Sequence, residues 1–123
     1  MRPTELEDRL IQFSIDSILF SKTVENNFEG DYLTKQLIRS ASSSALNYGE
    51  ARSAESTRDF LHKMKISLKE LRECYINLRI QEGAKLTSDI DMLERLLKEN
   101  NELISIFVIS IKTSTSKLSI KKN

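Results

Sequence analysis

Residues 33–71 read LTKQLIRSASSSALNYGEARSAESTRDFLHKMKISLKEL. Where a core helix usually carries leucines, residues 40–45 run Ser-Ala-Ser-Ser-Ser-Ala. Small side chains let two helix backbones come close, so this run predicts a tight helix–helix contact. Asn47, Gly49 and Glu50 stand out from it. A glycine inside a helix costs about 1 kcal/mol relative to alanine, so Gly49 is expected where backbones press together. Asn47 and Glu50, three residues apart, share a face. The expectation is a polar network at a helix end, with Glu50 meeting Arg39, Arg52 or Arg58; a ligand-binding role is the alternative.

Working outward, the chain resolves into four amphipathic segments and an all-α fold. The first helix spans residues 4–26, opened by Pro3 and by Thr4 and Glu7 at capping-box spacing. Leu6, Leu10, Phe13, Phe20 and Val24 form one stripe, while Ile11, Ile15, Ile18 and Leu19 fall on another side. One bundle core accounts for one stripe, and the second predicts a further buried surface between copies. Asp31 is expected to cap a second helix over residues 31–51. Ser56 and Asp59 open a third over 56–82, closed by Gly83, and Ser88 opens a fourth over 88–115. The stretch ISIFVISIKTST is β-branched and favours a strand by propensity alone. A 3–4 alternation running through it and the lack of any strand partner favour helix. The Ser/Lys-rich residues 116–123 are expected to fray. Short loops between long helices predict one domain, an antiparallel up-down-up-down four-helix bundle.

Composition narrows the function classes. The chain has 123 residues, 39% hydrophobic and 30% charged, with one proline, three glycines and one cysteine. That is too little punctuation for an all-β fold. A lone Cys74 allows no internal disulfide and suits a reducing compartment. The acidic, polar N-terminus is unlike a signal peptide, and residues 103–111 are too short an apolar run to cross a bilayer. A cytoplasmic protein with no membrane contact is expected. Net charge is +1 but uneven: residues 1–31 hold seven acids against three bases, residues 32–85 ten bases against six acids.

No residue set points to catalysis, a cofactor or a metal. His62 and Cys74 lie twelve positions apart on one helix, about 18 Å at 1.5 Å per residue, too far for a dyad. Asp59 and His62 have the acid-x-x-His spacing of di-iron bundles, but the second histidine such a centre needs does not exist. Gly49 lacks the flanking glycines of a phosphate loop. Among the basic residues of the second and third helices, Arg39, Arg52, Arg58 and Lys63 are the candidates for a nucleic-acid-binding patch. Any such binding would be phosphate-driven and salt-sensitive.

Leu33, Thr34, Gln36, Arg39, Ala41, Ser43, Asn47, Glu50, Phe60, Leu61, Ser67, Leu68, Glu70 and Leu71 match in order and spacing a known signature. By them the chain resembles the bacterial four-helix bundle proteins of 23S ribosomal RNA intervening sequences, also called S23-type. The accessory variability determinant of diversity-generating retroelements is a related member. Three positions depart from the signature: Ile38 replaces a second arginine, Ala45 a proline and Ala51 a glycine. The resemblance implies an antiparallel four-helix bundle assembled as a homopentamer. It makes Asn47, Gly49, Glu50, Ser67 and Glu70 structural signature positions. The expected function is a non-enzymatic oligomeric scaffold that binds a macromolecule, either nucleic acid or a nucleic-acid-processing protein. The alternative is a purely protein-binding or structural module.

Overall fold

The structure, a computed structural model, describes residues 1–122, with side chains described through residue 119. It holds four helices: α1 (Pro3–Ser21), α2 (Phe28–Arg52), α3 (Thr57–Ala84) and α4 (Ile90–Lys122). Among the described residues the only β-type pairing is an isolated bridge between Val24 and Thr87. The β-branched stretch of α4 is helical throughout. Each helix packs on its sequence neighbours and α4 closes back on α1, leaving α1 and α3 diagonal. Cross-helix pairs fix the antiparallel sense. Between α2 and α3, Leu33 meets Asn77, Arg39 meets Glu70, Ser44 meets Ser67 and Glu50 meets Lys63. The result is the up-down-up-down bundle.

The inward stripes behave as their spacing requires. Leu6, Leu10, Phe13 and Phe20 of α1 are buried against Leu37, Met64, Leu71, Leu78, Leu93, Leu103 and Phe107. The small-residue run does what small residues allow. Ser40, Ala41 and Ser44 are buried, and the Ser67 hydroxyl donates to the Ser44 carbonyl at 2.9 Å across the α2–α3 seam. A larger residue at either serine would push the two backbones apart.

Several boundaries differ from the sequence expectation. α1 stops at Ser21 rather than residue 26, because residues 23–25 pair with the loop after α3. The Glu25 N–H donates to the Leu86 carbonyl at 3.0 Å, and the Thr23 and Thr87 hydroxyls share a hydrogen bond of 2.6 Å. Asn27, not Asp31, caps α2, its side chain accepting from the Gly30 N–H at 2.8 Å. Ser56 caps α3 as expected, accepting from the Asp59 N–H. Gly83 does not end α3: the left-handed residue is Lys85 (φ 57°), and the Leu86 N–H closes back on the Gln81 carbonyl. Asp89 rather than Ser88 caps α4, accepting from the Met92 N–H at 3.0 Å. α4 extends past residue 115 to Lys122, since neither Gly nor Pro stops it. Asn123 lies outside the described residues.

Candidate functional site

Charged side chains sit at the seams of the bundle, and that placement decides what each is free to do. Arg39 reaches from α2 to Glu70 (3.4 Å) and Glu73 (3.3 Å) on α3, with its own hydrogen bonds to Gln36 and Ser40. The Glu70 side chain is 8% exposed, so Arg39 supplies the counter-charge a buried carboxylate needs. Arg52, at the end of α2, pairs with Glu7 of α1. Lys63 of α3 pairs with Glu50 of α2 at 2.9 Å, and that hydrogen bond raises the lysine's pKa. Three of the four cations nominated as a nucleic-acid patch therefore act as interhelical clasps. Arg58, the fourth, is exposed and in no ion pair among the described residues. The four do not converge on one site.

A fourth clasp escaped the sequence reading. Arg9 of α1 grips Glu99 of α4 through two guanidinium nitrogens, Nε donating at 2.9 Å, and this raises its pKa despite partial burial. Nothing in local spacing links residues ninety positions apart. The signal was an arginine beside the core stripe of α1, where a bare charge would be costly.

The polar signature residues act locally. Asn47 donates to the Ser43 carbonyl at 2.9 Å and to its hydroxyl at 3.1 Å, all within α2. The expected network of Asn47 and Glu50 at a helix end does not form, and Glu50 meets a lysine rather than an arginine. Gly49 relieves no tight contact: a Cβ there would meet only Glu7 Oε1, at 3.8 Å. The close approach is at Gly30, where a Cβ would stand 2.1 Å from the Glu25 carbonyl oxygen.

Among the described residues, two groups of exposed apolar side chains cluster on the surface of the single chain. On α1, Ile11, Ile15, Ile18 and Leu19 are 42–45% exposed, on the side opposite the core stripe. On the far side of the bundle, Tyr32 of α2 with Ile76 and Ile80 of α3 line a shallow groove of about 510 Å³. A larger cavity of about 880 Å³ opens at the bundle end, between the N-terminus, the α2–α3 turn and the last turns of α4. Its floor includes Tyr48, packed edge-on against Phe107. Burial raises the Tyr48 pKa, with Arg52 pulling the other way.

A model of the 23S rRNA-intervening sequence protein family matches residues 5–108. The chain belongs to that family. It is also similar to a crystal structure of a protein of unknown function from the S23 ribosomal protein family of Bacteroides thetaiotaomicron VPI-5482. The two are 26% identical with a TM-score of 0.79, covering 91% of this chain and 99% of that one. No curated protein matches. The family signature now has a physical content. Arg39, Ser67 and Glu70 all lie on the α2–α3 seam, so what the signature specifies is one tight antiparallel helix pair.

The residues that most resemble chemical machinery stand apart. His62 is exposed on α3, whereas Cys74 is wholly buried on the same helix. Burial, then the nearby Glu70 and Glu73 charges, push the Cys74 thiol far upward. A thiol held protonated is a poor nucleophile. No helix among the described residues is long and apolar enough to cross a membrane.

Proposed function

We propose that the chain is a non-enzymatic scaffold that assembles with further copies of itself and presents a repeated surface to a macromolecular partner. The observation that carries this is the outward stripe of Ile11, Ile15, Ile18 and Leu19. Four large aliphatic side chains on one exposed helix face form the contiguous patch that a lone chain seldom leaves in water. The groove of Tyr32, Ile76 and Ile80 lies across the adjacent α2–α3 pair, and none of its lining residues is on α1. A contact of the α1 stripe of one copy with the groove of the next is heterologous, and such contacts close into a ring when the rotation between copies returns to the first. Five copies is the number that the resemblance read from the sequence implies.

Light scattering at micromolar concentration tests this. The expected mass is several times that of one chain, and Ile15→Asp is expected to return a single-chain mass with an unchanged helical circular-dichroism spectrum. A single-chain mass for the unaltered protein overturns the assembly. A purely protein-binding module is the second reading, favoured by the internal neutralisation of Arg39, Arg52 and Lys63. A partner captured with equal yield after nuclease treatment would select it.

A further inference from the structure

We infer that the outward face of α3 is a binding surface for the phosphate backbone of a nucleic acid, using Arg58, Lys65, Lys69 and Arg72. This names the partner class of the scaffold proposed above and rests on that reading for its strength, since assembly repeats the surface. The five positions 58, 62, 65, 69 and 72 are spaced 4, 3, 4 and 3 apart, with His62 the second of them. On a helix they fall within an arc of about 80° and extend over about 21 Å. All five are exposed, and the four permanent cations among them are in no ion pair among the described residues.

The acids of α3 are turned elsewhere. Asp59 is half-buried, Glu70 is buried against Arg39, Glu73 is taken by the same arginine, and Glu82, beyond the ridge, pairs with Arg79. The contrast with the clasps is the point: where cations lie on a seam the sequence supplies acids, and along this ridge it supplies none.

Shape selects the ligand. The ridge is the outer face of α3, with Lys69 and Arg72 on the rim of the groove of Tyr32, Ile76 and Ile80, and Arg58 and Lys65 outside it. A small anion would therefore meet one or two cations, while a linear polyanion can meet all four. Between positions 58 and 72 the ridge bears no apolar side chain, and the exposed Ile76 and Ile80 that follow on the same face belong to the groove assigned above to a further copy. A protein partner would want a desolvated aromatic or aliphatic anchor there, and a lipid surface would want side chains to insert. Phosphate contacts need only the charges. Four contacts on one copy are weak, and the same ridge repeated in an assembly gains by effective concentration.

The experiment is fluorescence-anisotropy titration of the full chain against a single-stranded RNA and a duplex DNA of about 20 nucleotides or base pairs, over a salt series. For single-stranded RNA the log–log salt slope is expected near −3 per engaged copy, at about −0.7 per phosphate. The variant is Arg58→Gln with Lys65→Gln, both away from the residues lining the groove. It is expected to halve that slope, to about −1.5 per copy. The control is Arg52→Gln with Lys63→Gln, which removes clasp cations and is expected to leave the slope unchanged.

Absence of binding to either polymer at about 50 mM salt overturns the proposal. So does a slope lost in the clasp variant but kept in the ridge variant, or equal affinity for polyglutamate or for anionic phosphatidylserine vesicles. Light scattering on the same samples separates the two readings. An oligomer that binds neither polymer defeats the ridge and leaves the scaffold standing; a single chain that binds with ridge-dependent slope does the reverse.

Discussion

At the scale of the residue, the buried groups of α3 make the sharpest predictions. Cys74 has an ordinary thiol value of 9.0 that burial pushes far upward. The unfolded chain therefore begins to ionise at a pH where the folded protein does not. The sign follows: this group costs nothing below about pH 9, and above it stability falls by up to about 1.4 kcal/mol per pH unit. Urea midpoints between about pH 8 and 10.5 should decline more steeply for the native protein than for Cys74→Ala. Parallel slopes would show that the thiol is reached by water.

Arg39 makes the second prediction. Arg39→Ala leaves the Glu70 carboxylate buried without its cation. Because the arginine itself is 54% exposed, the loss is expected at about 1–2 kcal/mol rather than the full cost of a buried pair. Adding Glu70→Gln should recover part of it in denaturant titrations. At this scale the sequence was partly legible. Arg39 and Glu70 were visible as signature residues, but their pairing was not, since local spacing cannot show which of several cations meets which acid across a seam. The four cations of α3 that form no ion pair among the described residues had been counted among the basic residues, and only the pairing of Glu70 and Glu73 with Arg39 across the seam singled them out.

At the scale of the element, periodicity was reliable and punctuation was not. Both stripes of α1 and the helical course of α4 follow from 3–4 spacing. Ser56 could be read because its partner, the Asp59 N–H, lies three residues on. The end of α1 could not, because Thr23 and Glu25 are held by Thr87 and Leu86 in the loop after α3. Gly83 looked like the stop for α3, yet the chain reverses at Lys85, where Leu86 turns into the core at 7% exposure. Tertiary burial, not glycine, chose that turn. The same distinction separates the two glycines of α2. Gly30→Ala forces a Cβ to within 2.1 Å of the Glu25 carbonyl and must displace backbone. A loss of about 2 kcal/mol or more is expected. Gly49→Ala places its methyl in open contact and removes the entropy cost of a helical glycine, so a gain of about 0.5–1 kcal/mol is expected. Thermal midpoints moving in opposite directions would confirm that the close approach lies at the start of α2 and not in the small-residue run's glycine.

At the scale of the whole molecule, the two uncovered apolar surfaces are placed so that one chain cannot bury both against itself. α1 and the α2–α3 groove face opposite sides of the bundle, and this geometry separates two kinds of assembly. In an isologous dimer the α1 stripe meets its own copy, and changing the groove does nothing. In a heterologous contact the stripe of one chain fills the groove of the next, and either change breaks every contact. Ile15→Asp and Ile80→Asp should then each give single chains on their own. Mixed in equal amounts they retain one good stripe and one good groove between them, so they should form a one-to-one dimer that grows no further. Light scattering reads all three samples directly. If Ile80→Asp alone keeps the mass of the unaltered protein, the groove is not part of the contact and the ring falls with it. A mixture that stays at the single-chain mass has the same consequence. A dimer appearing only on mixing is an outcome that neither a symmetric pair nor general stickiness of aliphatic side chains produces. It would tie the second stripe of α1, legible from the spacing of four residues, to the assembly of the molecule.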